Sequence, residues 1–342
     1  MNLLLSALMV ATANSLLNDD DWIVTETEKV LDYKNNPILR PTEPLEWLLG
    51  DPTVVLIEET QEIHMFVNEV FHGILHFSAN YSQPTELTKQ GTVIGFPGSV
   101  RPYVMRDGDR LHLYYEQYHL PLYRRSSIML RSADIIFKQT GSKEEKYIST
   151  CQEENSLFSG SEFQWDSQSS EVLRPELDWE RKGTERVGNP FVVFSPGAQD
   201  YLLYYSASSV HLNDSKIDEP LYLGLARAVS PQGPWTRVSD RPLALDNEDI
   251  GDRRILGTGS LKFVKTAGLL EDDSPSLTAL CNRVTLDSQE RTGSTISLLE
   301  SPDGGRTWRT TIGDLISPQV DTPQSWKRSY VYGFDTLLGR RQ

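Results

Sequence analysis

Three kinds of residue recur at matching places along this chain, each beside an apolar run. Carboxylates come first: Asp51 in a Gly-Asp-Pro step, and Glu69 and Glu116 at the ends of EIHMFVNE and RLHLYYEQ. Carboxyl groups converging on one bond are a common apparatus for general acid and base catalysis. Arginines come second, with Arg101, Arg186, Arg254, Arg283 and Arg328 at or near the same kind of strand end. Guanidinium forks grip carboxylate, sulfate or phosphate through paired N–H donors. In a chain of net charge −15 they are expected to meet either an anionic ligand or the carboxylates themselves. Histidines come third: His72, His119 and His211 each follow shortly after such a run. Converging imidazoles with a carboxylate would hold a metal, but nothing like H-x-x-x-H is present, and neither a metal nor a cofactor is expected.

A repeat is what would bring these residues together. Five apolar runs open near Gly, Arg or Pro: GDPTVVLIEE from Gly50, GSVRPYVMRDG from Gly98, GNPFVVFSPG from Gly188, GTGSLKFVK from Gly257 and SYVYGFDTLL from Ser329. The first four are followed by EIHMFVNE, RLHLYYEQ, DYLLYYSAS and SLTALCNR, and then by third runs beginning at Gly73, Ser126, Leu221 and Ser294. Apolar and polar residues alternate within these runs, as in strands with a packed face. Strand meanders repeated at loose spacing predict an all-β chain folded as a five-bladed β-propeller.

Neighbouring strands of a blade are antiparallel, so first-strand starts and second-strand ends share one face. That face is expected to carry Asp51, Arg101, Asn189, Thr258 and Tyr330 from first strands. From second strands it should carry Asn68, Glu69, Glu116, Gln117, Ser206, Asn282 and Arg283.

The whole chain, 1–342, reads as one domain, with an N-terminal segment 1–20 of uncertain role and an insertion, 137–185, between blades two and three. The insertion begins polar and acidic, and its end, EVLRPELDWERKG, resembles the outer strand of blade two. SYVYGFDTLL supplies a single strand of blade five, so N-terminal segments such as DWIVTETEKVLDY would have to complete it. SPDGGRTW, from Ser301 to Trp308, matches the Asp-box pattern S-x-D-x-G-x-T-W, which is a turn device and no catalytic motif.

The acidic balance argues against duplex nucleic acid as a partner, which needs a basic footprint. Two cysteines, Cys151 and Cys281, make no disulfide framework. MNLLLSALMVATANS is shorter than a membrane span, and no Lys or Arg precedes its apolar run. No membrane association is expected and the location is read as cytoplasmic. Secretion is the alternative, in which the N-x-S sites at Asn80 and Asn213 would matter. Oligomeric state is left open.

The stretch NPILRPTEPLEWLLGDPTVV, with the strand pairs after it, resembles the five-bladed propeller glycosidases, in particular glycoside hydrolase family 43 and its furanosidase relatives. The likeness spans roughly Asn36 to Asp335 and rests on blade pattern more than on long motifs. It implies a carbohydrate ligand and hydrolysis of a glycosidic bond in an axial pocket. In that family an Asp in the first blade's Asp-Pro step is the general base, which falls on Asp51. The second-blade Asp and third-blade Glu of the family are not matched: the corresponding steps read Arg101-Pro102 and Asn189-Pro190. The expected assignment is therefore Asp51 as base and Glu116 as acid, with Glu69, Arg101, His119, Asn189, Ser206 and Arg283 binding substrate. The arginines point toward an anionic sugar. A non-catalytic carbohydrate-binding propeller and a protein-binding scaffold are the rival readings.

Overall fold

The computed structural model describes residues 49–316 except 70, 120–123, 140–157, 196–197, 215, 217, 246–249 and 268–275, together with Trp22–Val24, Leu31–Tyr33 and Leu39. The expected strand SYVYGFDTLL, with Tyr330 in it and Arg328 before it, lies outside the described residues, as do the N-terminal apolar run and Cys151.

Strand is the dominant structure of the described residues, with a 3-10 turn at Asp178–Arg181. Residues β1 (Trp22–Val24) and β2 (Leu31–Tyr33) form a separate antiparallel ladder. The first blade is the meander β3 (Leu49–Ile57), β4 (Glu62–Glu69), β5 (Gly73–Asn80) and β6 (Thr88–Ile94). The second is β7 (Ser99–Asp107), β8 (Arg110–Tyr118) and β9 (Ser126–Gln139). Because β9 is long, its outer edge is shared by β10 (Phe158–Trp165) along one half and β11 (Ser170–Leu173) along the other. Part of the expected insertion is thus blade structure, since β9 runs to Gln139 and β10 lies on its edge. Of EVLRPELDWERKG, read as an outer strand, only EVL is strand, and Asp178–Arg181 is a 3-10 turn.

The third blade joins β12 (Val187–Ser195), β13 (Asp200–Ala207), β16 (Tyr222–Ala228) and β17 (Thr236–Arg237). A two-stranded excursion, β14 (Val210–His211) and β15 (Asp218–Glu219), interrupts it. The fourth runs through β19 (Arg254–Ala267), β20 (Ser276–Leu286), β21 (Thr292–Ser301) and β22 (Thr307–Ile316), with β18 (Ala244–Leu245) parallel on its outer edge. Four blades are therefore described, arranged in the order expected of a propeller.

Apolar layers between blades hold the ring. Ile57, Phe66, Val104 and Leu113 pack between blades one and two; Tyr114, Val192, Leu203 and Tyr205 between two and three; Tyr204, Leu261, Phe263 and Trp308 between three and four. Innermost strands are also stitched directly: Val104 N–H donates to Thr53 Oγ1 at 3.0 Å, and the Tyr103 hydroxyl to the Val192 carbonyl at 2.9 Å. Packing runs from β3 to β7, β12 and β19. The face of blade one turned away from blade two also buries Val54, Met65, Val67 and Phe77, with Leu39 among them.

In the turn from β21 to β22, Asp303 Oδ1 accepts from the backbone N–H groups of Arg306 (3.1 Å) and Thr307 (2.8 Å) and from the Ser301 hydroxyl (2.9 Å). Gly304 and Gly305 take φ of 68° and 87° there, so side chains are excluded by conformation. Trp308 then turns inward, 1% exposed, and donates Nε1–H to the Gly305 carbonyl at 3.0 Å.

Candidate functional site

Each innermost strand breaks its register at the same place. One extra residue sits between Gly50 and Thr53 opposite Asn68 and Phe66, and the same slip occurs from Val100 to Tyr103, Gly188 to Phe191 and Thr258 to Leu261. Such a bulge bends a strand and re-aims a side chain. In the first three blades the bulged residue has left-handed backbone immediately before a proline: Asp51 (φ 47°), Arg101 (φ 52°) and Asn189 (φ 47°). That conformation is strained for any residue with a Cβ, the more so before proline. By register the fourth-blade equivalent is Gly259, followed by Ser260 in place of the proline.

These bulges surround one recess. It is lined by Asp51, Pro52, Arg101, Pro102, Asn189, Pro190, Ser260 and Lys262, and encloses about 250 Å³ including its opening to solvent. Asp51, Arg101 and Asn189, nominated from sequence on three separate blades, are thus brought together. Ser260 and Lys262 were missed, since the sequence rule chose Thr258, whose Oγ1 instead accepts from Arg283 Nη1 at 3.1 Å. One signal was available: Lys262 is a lone charge inside the apolar GTGSLKFV. Its Nζ lies 5.5 Å from the centroid of the Tyr103 ring, and the residue is buried.

A second tier stands behind the first. By register Asn68, Glu116, Ser206 and Arg283 occupy equivalent second-strand positions, and all four are buried. Asn68 Oδ1 accepts the Arg101 backbone N–H at 3.2 Å, and Ser206 Oγ accepts from Asn189 Nδ2 at 2.7 Å. Glu116 is fully enclosed: Oε2 accepts from Arg101 Nη1 at 2.8 Å, and Oε1 from Arg186 Nε and Nη2 at 3.3 and 3.2 Å. Arg101 Nη1 also reaches the Tyr118 hydroxyl at 3.1 Å, and the Arg186 guanidinium stacks 5.0 Å from the Tyr118 ring centroid.

Proton affinities separate the two carboxyl groups. Burial pushes the Asp51 carboxyl above its ordinary value, against the pull of Arg101 and Lys262. Burial would do the same to Glu116, but Arg186 and Arg101 outweigh it and hold that carboxyl below the ordinary glutamate value. Proton donation from Glu116, the role expected for it, is opposed by both guanidiniums. Of the pair, Asp51 is the group that holds its proton more readily.

Other nominated residues lie elsewhere. Glu69 is fully buried, its Oε2 accepting from the backbone N–H groups of Phe71 and His72 and from His72 Nδ1. His119 is exposed and bonded through Nε2 to Ser127 Oγ at 3.0 Å, and His211 pairs with Asp218 at 3.0 Å. Among the described residues no group of three or more His, Cys, Asp or Glu is placed to hold a metal ion. No helix among them is long and apolar enough to cross a membrane.

No family model and no curated protein matches the sequence. Solved structures do match. A family 43 glycoside hydrolase retrieved from capybara gut metagenome superposes with a TM-score of 0.51 at 12% identity, over 79% of this chain and 43% of the other. An endo-1,4-beta-xylanase from Bacteroides thetaiotaomicron VPI-5482 gives 0.47 at 16% identity, over 78% and 76% of the two chains. A family 117 glycoside hydrolase produced by the marine bacterium Zobellia galactanivorans gives 0.46 at 13%, over 79% and 70%. At such identities the likeness is one of fold alone, consistent with the propeller-like order of the four described blades.

Proposed function

We propose that the recess is a carbohydrate site and that the protein hydrolyses a glycosidic bond there, with an anionic sugar as substrate. The observation that carries this is the grouping of Asp51, Arg101 and Lys262 around one opening. Asp51 supplies a carboxyl whose proton affinity is raised by burial, suited to taking a proton from an attacking water and returning it to a departing glycosidic oxygen. Arg101 and Lys262 supply positive charge for a uronate carboxylate or a sulfate group. Asn189, fixed by Ser206, adds a directional contact for a hydroxyl. This reading also supposes a fifth blade, built from the C-terminal strand and N-terminal segments. The buried outer face of blade one, and the lack of comparable packing between β19 and β3 among the described residues, support it. The turn at Asp303 fits the Asp-box device in its hydrogen bonding. Neither nucleic acid nor membrane enters the reading, and a cytoplasmic location is kept with it.

A second reading has its own support. A glycosidase of the usual kind employs two carboxyl groups, and among the described residues that line the recess Asp51 is the only carboxylate. Glu116, with both oxygens held by guanidiniums, is better suited to bracing Arg101 than to chemistry. That arrangement favours a propeller that binds an anionic glycan without cleaving it.

Hydrolysis of aryl furanosides, pyranosides and uronides by wild type and Asp51→Asn, paired with glycan binding by both, separates the readings. Turnover lost in a folded Asp51→Asn that still binds supports the hydrolase. Binding without turnover in wild type supports the binder, and neither binding nor turnover rejects the carbohydrate site.

A further inference from the structure

Beside the recess, on the same face, the first blade presents a second set of groups that the reading above does not use. Phe71 and Phe96 are 56% and 47% exposed, and His72 carries a side chain 43% exposed. Among the described residues no other phenylalanine on this face is so open. Phe194, at the end of β12, lies toward the opposite face, where Ser195 pairs with Asp200.

Backbone pairing fixes their position. Glu69 is opposite Leu49 on one side and Gly73 on the other, so the β4–β5 turn holding Phe71 and His72 stands at the end of the blade where Asp51 lies. Ile74 pairs with Ile94, which returns the chain to that same end before Phe96 and the crossing to β7. A Cβ placed on Gly73 would fall 1.9 Å from the Ile94 carbonyl and 3.1 Å from the Phe96 nitrogen, so the two segments are in close contact. At about 5 Å per strand, this turn is offset from β3 by roughly 5–10 Å, the length of one or two sugar units.

Phe71 and His72 are tied to the end of β4. Glu69 Oε2 accepts from Phe71 N at 2.9 Å, His72 N at 2.7 Å and His72 Nδ1 at 2.6 Å. With Nδ1 spent on the carboxylate, the remaining polar atom of the imidazole is Nε2. Glu69 Oε1 is buried with no hydrogen-bond partner among the described residues. A buried carboxylate is an expensive way to orient an exposed imidazole beside two exposed rings, and burying polar groups incompletely satisfied costs free energy. Sugars need such a combination: an apolar C–H face that lies on an aromatic ring, and hydroxyls that need directional partners.

We propose that Phe71, Phe96 and the Glu69-held His72 form an outer subsite for the next sugar unit of a glycan whose terminal unit occupies the recess. The occupant is an oligosaccharide and not a protein partner, because the patch combines rings with a fixed polar imidazole and continues the recess face. This inference rests on the recess being a carbohydrate site.

The test is the dependence of affinity on chain length. Dissociation constants would be measured for mono- and tetrasaccharides of uronate, sulfated and neutral sugars, against wild type, Phe71→Ala/Phe96→Ala and His72→Ala. All three side chains are exposed, and unchanged thermal melts would show that the variants fold. Wild type is expected to bind a tetrasaccharide at least 10-fold tighter than the corresponding monosaccharide. The double variant should reduce that ratio to near 1, and His72→Ala should reduce it about 3-fold. Glycan binding whose length dependence is absent, or survives the double variant, overturns the subsite alone. No binding to any glycan of any length removes the recess reading together with it. Binding of the patch to a polypeptide, with no glycan bound, has the same effect.

Discussion

Glu116 fills the space that a side chain on Gly188 would need: a Cβ there would lie 1.9 Å from Glu116 Oε2 and 2.3 Å from its carboxyl carbon. The acceptor of two guanidiniums from blades two and three therefore depends on a missing side chain at the start of blade three. Gly188→Ala is expected to cost about 1–3 kcal/mol through forced displacement in a close-packed region. Denaturant unfolding would show the loss, and the penalty should shrink when the same change is made in Glu116→Ala, where the clash is gone. An unchanged penalty would place its origin in the backbone instead.

Removing the charge of Glu116 while keeping its shape tests the clamp itself. Glu116→Gln leaves Arg101 and Arg186 facing a neutral group inside the protein, and breaking a buried pair in this way typically costs about 3–5 kcal/mol. The glutamate's folded pKa is depressed, so its contribution is present above the ordinary value of 4.5 and is lost as pH falls through the lower folded value. The gap between wild type and variant should therefore be wide at pH 7 and close at strongly acid pH.

Asp51→Asn is expected to act in the opposite sense on stability. A carboxyl whose folded pKa is raised contributes stability below its ordinary value of 3.8, and that contribution is lost as pH rises through the folded value. At pH 7 the ionised side chain is a burden, and it also stands at a φ of 47°, which asparagine tolerates at least as well. The variant should melt at a higher temperature than wild type at pH 7, with no gain at pH 3. A destabilised variant at pH 7 would show instead that attraction to Arg101 and Lys262 outweighs burial.

Acid sensitivity should centre on the seam between blade one and β10. His76 Nε2 lies 3.0 Å from His64 Nδ1, and His64 Nε2 lies 3.1 Å from Ser161 Oγ. Burial, reinforced by His64, lowers the His76 pKa from 6.5 to about 3. The unfolded chain takes up that proton first, so stability falls as pH drops from about 6.5 toward 3, by at most about 1.4 kcal/mol per pH unit. His112, also lowered by burial, acts in the same direction. Glu62, held at about 2 despite burial by bonds from His64, Ser161 and Thr60, adds its loss only below 4.5. Thermal melts of His76→Phe between pH 5 and 7 should show a shallower slope than wild type.

At the β21–β22 turn, Asp303→Ala removes the acceptor of two backbone N–H groups and two hydroxyls. A loss of about 1–2 kcal/mol is expected, with the recess unaffected. Amide exchange at Arg306 and Thr307 should rise first.

Strand identity and blade order were legible because alternation and turn residues are local properties: GDPTVVLI, RLHLYYEQ and DYLLYYSAS each predict their own strand. The shared face followed from antiparallel pairing, and with it the meeting of Asp51, Arg101 and Asn189 from positions far apart in the chain. Tertiary structure decided the rest. In the fourth inner strand the bulge puts Gly259, not Thr258, at the place of Asp51, Arg101 and Asn189, so Ser260 and Lys262 line the recess there. Glu116 could be read as a carboxylate at the right end of a strand, but its proton affinity depends on Arg186, which arrives from the edge of the next blade. Charge at a buried site is set by distance and desolvation across blades, and neither is written in the spacing of residues along one strand.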